Sequence, residues 1–107
     1  MEMPAPVHAY FDADQRGDGA ALMTAFAPNA LVKDEGRSYQ GHDQIEAWWR
    51  EAKQQYAHQA APFEVKTADG RVSVRATVTG NFPTSPATLT YHFVLAEGRI
   101  AELEIRP

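Results

Sequence analysis

Two segments decide the fold, GHDQIEAWWREAKQQY at residues 41–56 and VSVRATVT at residues 72–79, because their apolar residues recur with different periods. Along the first segment, five apolar residues lie at the spacing of one helix face: Ile45, Trp48, Trp49, Ala52 and Tyr56. In the second segment apolar and polar residues alternate, which is the period of a strand with one buried face. The sequence therefore predicts a long amphipathic helix followed by sheet.

Shorter elements are predicted before the long helix. Residues 4–16 and 19–27 have helical apolar spacing, and Gly17-Asp18-Gly19 separates them. Residues 30–36 are predicted to form a strand, and residues 37–40 a short return strand after the turn at Gly36. The long helix is expected to begin within 41–43, where Asp43 and Glu46 have capping-box spacing.

After the long helix the pattern is that of strands joined by tight turns. The turn pairs are Asp69-Gly70 and Glu97-Gly98, and a turn-rich loop covers residues 80–86. The predicted strands are residues 63–67, 72–79, 89–96 and 100–105. We therefore expect one α+β domain, residues 1–107, in which a curved antiparallel sheet wraps around three helices from the N-terminal half.

Composition excludes several classes of function. The net charge is −4 and the ten Lys and Arg residues are scattered, which argues against nucleic acid or an anionic membrane as a partner. Without cysteine there is no disulfide or thiolate chemistry. The four histidines lack ligand spacing, so neither a metal nor another cofactor is predicted. With no signal peptide and no apolar run of ~20 residues, the expected location is the cytoplasm, without membrane association.

Asp34 is the first candidate for chemistry. In the strand of residues 30–36 its side chain lies in phase with Val32 and so points towards an apolar interior. Burial would raise the pKa of this carboxyl, which suits a general base that takes a proton next to a carbonyl. Two structural alternatives stay open: an ion pair with a basic group such as Arg37, or a solvated charge at an open rim.

Two tyrosines are candidate hydrogen-bond donors. Tyr10 lies on the apolar stripe of the first helix, and Tyr91 shares a strand face with Phe93. Each is either a donor in a pocket or a core aromatic whose hydroxyl binds the backbone. If Tyr91 points inwards, His92 lies on the outer sheet face, where we expect an interface between subunits. His8 and His58 are expected to be exposed.

The remaining candidates are aromatic residues and one amide that are expected to contact a ligand. Trp48 and Trp49 are expected to build the core between helix and sheet, with one of them in the pocket wall. The loop of residues 80–86 is predicted to bend the sheet, with Phe82 closing one end and Asn81 a candidate donor to a ligand. Phe26 and Phe93 complete the predicted ligand-contacting set, and Phe63 is expected in the core.

The order of these motifs resembles the nuclear transport factor 2-like superfamily, and within it the SnoaL-like and ketosteroid-isomerase-like groups. The matching segments span nearly the whole chain. They are Tyr10-Phe11-Asp12-Ala13, Gly17-Asp18, Phe26-Ala27-Pro28-Asn29-Ala30, Lys33-Asp34, Gly41-His42-Asp43-Gln44-Ile45, Trp48-Trp49, Tyr91-His92-Phe93 and Gly98-Arg99-Ile100. The resemblance implies a cone formed by a bent sheet, closed by helices around an apolar pocket, and often a dimer through the outer sheet surface.

The resemblance also implies roles for individual residues. In the ketosteroid-isomerase branch a helix tyrosine, matched by Tyr10, donates to a substrate oxygen, and a strand aspartate, matched by Asp34, shuttles a proton. Tyr91 stands where that branch has a protonated aspartic acid, so the oxyanion site is altered. A phenol still donates a hydrogen bond, but steroid isomerisation itself is not implied.

Two functions follow from this reading. The first is a cofactor-independent isomerase, cyclase or lyase that moves a proton on a small hydrophobic carbonyl compound, with Asp34 as base and Tyr10 and Tyr91 as donors. The alternative is a non-catalytic module of the same fold that binds a small molecule or dimerises. In either case we expect a homodimer through the outer sheet face, which carries Val94 and Ala96 beside His92.

Overall fold

The computed structural model describes residues 2–107. In chain order the elements are α1 (Ala5–Arg16), α2 (Gly19–Ala25), β1 (Phe26–Asp34), β2 (Arg37–Gln40), α3 (Gly41–Tyr56), β3 (Gln59–Ala68), β4 (Arg71–Thr79), β5 (Ala87–Ala96) and β6 (Arg99–Arg106). Three helices in the N-terminal half and a sheet made mainly by the C-terminal half confirm the predicted α+β class. Within residues 2–107, no helix has the length and apolarity needed to span a bilayer.

The six strands form one sheet in the order β2-β1-β6-β5-β4-β3. Four of its pairings are antiparallel, whereas β1 and β6 are parallel. The sheet is therefore mixed and not purely antiparallel as the sequence suggested. The parallel pair arises because α3 carries the chain from β2 to the far edge, and the meander then returns to place β6 beside β1.

One element boundary and the position of one side chain differ from the prediction for local reasons. Phe26 and Ala27 belong to β1 and not to α2, because Pro28 disfavours helical geometry in the residue before it. In β3 the register with β4 shifts between Pro62 and Glu64. Phe63 is 48% exposed there and contacts the guanidinium of Arg75, so its expected place in the core was wrong.

The start of α3 also differs in detail. The helix begins at Gly41, and the backbone N–H of Gln40 donates to the side-chain oxygen of Gln44 at 2.8 Å. This contact takes the place of the predicted capping box of Asp43 and Glu46, because the helix starts two residues before Asp43. Asp43 still lies in the first turn of α3, where its side-chain carboxylate complements the helix dipole.

The core lies on the concave face of the sheet, beneath the helices. One row of neighbouring residues across four strands is fully buried: Val32, Leu103, Phe93 and Val72, on β1, β6, β5 and β4 in turn. Successive residues of a strand point to opposite faces, so the next inward-facing row lies two residues further along each strand. That next row carries the candidate site.

Candidate functional site

Asp34 and Tyr91 lie on the same concave row, separated by one strand. Ile105 of β6 is the cross-strand neighbour of Asp34 on β1 and of Tyr91 on β5. Because neighbouring strands are ~4.8 Å apart, the backbones of Asp34 and Tyr91 are separated by roughly 10 Å. Their side chains point to one face, with Ile105 between them at the base of the same row.

A cavity of about 270 Å³ occupies this end of the concave face. Its walls come from the sheet row described above, from α1 and α3, and from the 80–86 loop. Asp34 lines it together with six aromatic residues, Tyr10, Trp48, Trp49, Tyr56, Phe82 and Tyr91. The fold therefore brings the three predicted catalytic candidates into one cavity, and both tryptophans contribute to its wall.

Three of the predicted ligand-contacting residues do not line this cavity. Phe93 belongs to the buried row of Val32, one layer deeper, and Phe26 pairs with Ile100 towards the opposite end of the sheet. Asn81 is exposed, and its backbone N–H donates to the carbonyl of Tyr56 at 2.7 Å. These three residues therefore lie outside the cavity: two are core residues, and the backbone of the third fastens the 80–86 loop to the end of α3.

The carboxylate of Asp34 is half-buried and accepts a hydrogen bond from Trp48 Nε1 at 3.0 Å. Burial raises the pKa of this carboxyl; the Trp48 N–H opposes the rise and the neighbouring Glu35 charge adds to it, so the net pKa is raised. Arg37 is the β2 neighbour of Asp34. No ion pair joins Asp34 to Arg37 or to any other cation of residues 2–107, so the first structural alternative does not hold.

The rings of Tyr10 and Tyr91 are close together, with centroids 6.1 Å apart. Neither hydroxyl hydrogen-bonds to the described part of the chain, yet within residues 2–107 no fully enclosed side-chain polar atom lacks a partner. Both hydroxyls are therefore open to the cavity. Burial is the main cause that raises the pKa of each phenol, and the Asp14 and Asp34 charges add to it. Both tyrosines are neutral hydrogen-bond donors at neutral pH.

A second carboxylate, Asp14, lies behind the cavity wall and is only 2% exposed. Its Oδ1 accepts a hydrogen bond from Trp49 Nε1 at 2.8 Å, and Lys53 Nζ lies 3.2 Å from the same oxygen. Burial alone would raise the pKa of Asp14, but the contacts with His58, Trp49 and Lys53 outweigh it and the pKa is lowered. Asp14 is therefore an ionised carboxylate inside the protein.

His58 connects this buried carboxylate to the cavity. It lines the cavity, and its Nε2 lies 3.7 Å from Asp14 Oδ1, which is longer than a short hydrogen bond. Its backbone carbonyl accepts a hydrogen bond from Lys53 Nζ at 2.6 Å. The side chain is only 17% exposed, so the expectation of a solvated histidine is corrected.

The sequence does contain a signal for Asp14 and Lys53. Asp14 lies four residues after Tyr10, in phase with the apolar stripe of α1, and Lys53 lies four residues after Trp49 on the stripe of α3. Opposite charges on the apolar faces of two helices indicate a buried ion pair. His58 lies beyond the helical period, so the same pattern does not find it.

Within residues 2–107, no group of three or more His, Cys, Asp or Glu side chains is arranged to hold a metal ion. The cavity presents a different set of chemical groups: the carboxylates of Asp34 and Glu35, the phenols of Tyr10, Tyr56 and Tyr91, and the imidazole of His58, in a largely aromatic wall. These groups can bind an oxygen-containing apolar molecule and exchange protons with it.

Comparisons with known proteins agree with this architecture. A family model described as the SnoaL-like domain matches residues 7–103. The chain is 47% identical to a Sinorhizobium meliloti protein of known structure that is provisionally named a polyketide cyclase. The match covers 97% of this chain and 95% of that one, with a TM-score of 0.96. The chain matches no curated protein.

More distant structures share the fold alone. A Catenulispora acidiphila protein with a ketosteroid-isomerase-like fold, solved in complex with trimethylamine, has a TM-score of 0.86 at 18% identity, covering 99% of this chain and 87% of that one. A Kribbella flavida protein provisionally named a ketosteroid isomerase has a TM-score of 0.84 at 10% identity, covering 95% of this chain and 74% of that one. These likenesses support the cone-shaped architecture.

Proposed function

The chain belongs to the SnoaL-like domain family, and from this premise we propose that it is a cofactor-independent enzyme that moves a proton on a small hydrophobic carbonyl compound. One observation carries the proposal: the Asp34 carboxylate lines an aromatic cavity without a cationic partner in residues 2–107, and two phenol hydroxyls without protein partners open into the same space. The provisional naming of the Sinorhizobium meliloti relative as a polyketide cyclase supports the same class of carbonyl chemistry.

Asp34 has the properties of a general base. Because its pKa is raised by burial, the Asp34 carboxylate binds a proton more strongly than the carboxylate of an exposed aspartate does. General bases are most effective when their pKa approaches the working pH. Trp48 Nε1 donates to one carboxylate oxygen, Oδ2, and so fixes the orientation of the group. Asp34 then takes a proton from the carbon next to a substrate carbonyl.

Tyr10 and Tyr91 stabilise the enolate that this proton transfer creates. Their hydroxyls are free of protein partners, so they are available to the substrate oxygen as its negative charge develops. A preorganised donor of this kind contributes about 2.7–4 kcal/mol to the transition state. Tyr91 reaches the cavity from the sheet and Tyr10 from α1, so two rigid elements fix the position of the oxyanion.

The cavity size restricts the substrate. At about 270 Å³ the cavity is slightly smaller than the 300–1,000 Å³ typical of sites for drug-sized ligands. An aromatic wall and this volume suit a compound of one or two rings. A two-ring ketone such as 2-tetralone is therefore a suitable probe.

The test is exchange of the α-hydrogens of 2-tetralone for deuterium, followed by proton NMR in D₂O. We expect the wild-type protein to accelerate exchange and Asp34→Asn to lower the rate by at least about 100-fold, the contribution typical of a general base. Asp69→Asn is the matched control, because Asp69 is exposed at the tip of the β3–β4 hairpin. Its left-handed backbone, φ 49°, is a conformation that asparagine tolerates.

Two results would contradict the proposal. Exchange by Asp34→Asn at the wild-type rate would exclude Asp34 as the base. Binding of 2-tetralone by the wild-type protein without any acceleration of exchange would favour the alternative, a non-catalytic small-molecule-binding module. Calorimetric titration of the same compound into the same samples distinguishes the two, because it measures binding independently of proton transfer.

A further inference from the structure

We propose that His58, positioned by Asp14, is a second proton-transfer group of the cavity and that the substrates are β-hydroxy ketones, from which the protein eliminates water. This inference rests on the proposed function, because it adds an acid at oxygen to the base at carbon. Neither Asp14 nor His58 belongs to the tyrosine and aspartate set that the sequence pointed to. The contacts around these two residues carry the argument.

His58 shares the cavity with Asp34. Both residues line it, His58 from the segment after α3 and Asp34 from the end of β1. The second ring nitrogen of His58, Nδ1, has no hydrogen-bond partner in the described chain, and no enclosed polar side-chain atom of residues 2–107 is unsatisfied. The imidazole therefore has one nitrogen directed at Asp14 and one that is accessible from the cavity or solvent.

The protein holds His58 at both its backbone and its ring. Lys53 Nζ binds the His58 carbonyl at 2.6 Å, and the ring contacts the buried Asp14 carboxylate. Between α3 and His58, Ala57 adopts a left-handed conformation with φ 48° and ψ 39°, which a non-glycine residue adopts at a cost of about 1–2 kcal/mol. Such strain is retained only where surrounding contacts determine the conformation.

Asp14 is a positioning residue and not a catalytic one. It is 2% exposed and does not line the cavity, so it cannot touch a substrate there. Its Oδ1 contacts Trp49, Lys53 and His58 together, and it is ionised because its pKa is lowered. A carboxylate beside an imidazole orients the ring and balances the charge of its protonated form.

Two proton-transfer groups suit a reaction with two proton-transfer sites. Moving a proton between carbons of one enolate requires a single base, which Asp34 supplies. Loss of a β-hydroxyl requires in addition a donor at the leaving oxygen, since hydroxide leaves poorly and water leaves readily. The presence of both groups in one aromatic cavity therefore favours elimination from a β-hydroxy ketone.

The proposed step is balanced. Asp34 takes the α-hydrogen as a proton, and its electron pair forms the enolate, whose oxygen accepts from Tyr10 and Tyr91. The enolate re-forms the carbonyl and a carbon–carbon double bond while the β-carbon–oxygen bond breaks. Protonated His58 gives its proton to the departing oxygen, which leaves as water. Asp34 is left protonated and His58 neutral, and solvent exchange resets both groups, so no oxidant or reductant is needed.

The test uses 4-hydroxy-4-phenylbutan-2-one, whose dehydration gives an absorbing conjugated enone, beside exchange of 2-tetralone in the same samples. We expect His58→Gln to lower elimination about 100-fold and exchange by less than about 10-fold. Asp14→Asn is expected to lower elimination more than exchange. His8→Gln is the matched control, since His8 is exposed on α1. Added imidazole is expected to restore elimination by His58→Gly, which a purely structural role would not allow.

Each other outcome overturns a specific statement. If the wild-type protein catalyses exchange but not elimination, or if His58→Gln leaves elimination unaffected, His58 is not a second proton-transfer group. Either result would leave the proposed function intact. Equal losses of exchange and elimination in His58→Gln, without imidazole rescue, would assign His58 a structural role. Absence of exchange in the wild-type protein would refute the proposed function, and this inference with it.

Discussion

Trp48 and Trp49 are consecutive residues of α3, and their indole N–H groups bind two different carboxylates. Trp48 donates to Asp34 and Trp49 to Asp14, because neighbours on a helix point about 100° apart. The pKa of Asp34 is raised, mainly by burial, whereas the contacts of Asp14 with His58, Trp49 and Lys53 lower its pKa despite burial. Environments that raise the pKa of one carboxyl group and lower the pKa of another are typical of acid–base sites.

The raised pKa of Asp34 predicts a stability cost at neutral pH. A carboxyl whose pKa is higher in the folded than in the unfolded protein binds protons more strongly when folded, so its contribution to stability is present at low pH and is lost as pH rises through the folded pKa. We therefore expect Asp34→Asn to unfold at a higher temperature than wild type at pH 7, and the difference to shrink towards pH 4. Thermal melts followed by circular dichroism at both pH values measure it.

The same variant thus separates function from stability. Asp34→Asn should lose α-hydrogen exchange while it gains thermal stability, which is the trade-off expected of a functional group. A decrease in melting temperature at pH 7 would show instead that the carboxylate stabilises the fold. Asp69→Asn again serves as the control, with little change at either pH because Asp69 is exposed.

At the residue scale, the sequence predicted those site members that lie within a regular period. Asp34 was found because it alternates in phase with Val32, and Tyr10 because it lies on the stripe of α1. His58 lies after the end of α3, where the backbone turns through the left-handed Ala57. Its direction depends on contacts with Lys53 and Asp14 from other parts of the chain, and no local pattern encodes it.

At the scale of elements, the end of α3 and the 80–86 loop form one unit beside the cavity. The Asn81 N–H binds the Tyr56 carbonyl, and the rings of Tyr56 and Phe82 meet edge to face with centroids 6.0 Å apart. Gly80 lies against the same backbone: a Cβ there would be 2.7 Å from the Tyr56 oxygen and 3.0 Å from the His58 Cα. Glycine at this position therefore permits the close approach of loop and helix.

Gly80→Ala is expected to destabilise the protein by about 1–3 kcal/mol, the usual cost of overpacking. The clash is with backbone atoms, which cannot rotate away, so the loop must move and the cavity wall with it. Urea unfolding measures the loss of stability, and titration of 2-tetralone should show weaker binding. Wild-type stability and wild-type affinity in this variant would both contradict the close approach.

Gly98→Ala is the matched control for that experiment. A Cβ on Gly98 meets no atom of residues 2–107 within 4 Å, but the residue has φ 75°, so alanine costs only the backbone strain of about 1–2 kcal/mol. Gly98 lies in the β5–β6 turn and does not line the cavity. The control should therefore lose some stability and keep its affinity for 2-tetralone.

Element order was predictable because each element carries a clear period or turn signal. The hairpins at Asp69-Gly70 and Glu97-Gly98 and the long helix all appear where the pattern places them. The shift in register near Phe63 was not predictable, since it depends on how β3 pairs with β4. Local periodicity indicates where a strand lies but does not give its register with the neighbouring strand.

At the scale of the whole molecule, strand order determines which residues meet. The parallel pairing of β1 with β6 places Asp34 beside Ile105, although the two residues are far apart in the sequence. Ile105 in turn lies beside Tyr91. That pairing could not be derived from the segments themselves, and only the resemblance to a known family implied that Asp34 faces a pocket. The cavity is thus a property of the sheet order and not of any single motif.

We predict that the protein forms a homodimer through the outer face of the same sheet. Ser73, His92 and Glu104 form a row across β4, β5 and β6 on the face that points away from the cavity, and the half-buried Val94 follows on β5. We expect sedimentation at micromolar concentration to give twice the 11.8 kDa mass of one chain. His92→Glu sets a carboxylate beside Glu104, and in a symmetric pair these charges repeat on the facing subunit, so at least about 10-fold weaker association is expected. His92→Gln, which adds no charge, should remain dimeric, whereas a monomeric wild-type protein at these concentrations would show that this face is not a subunit interface.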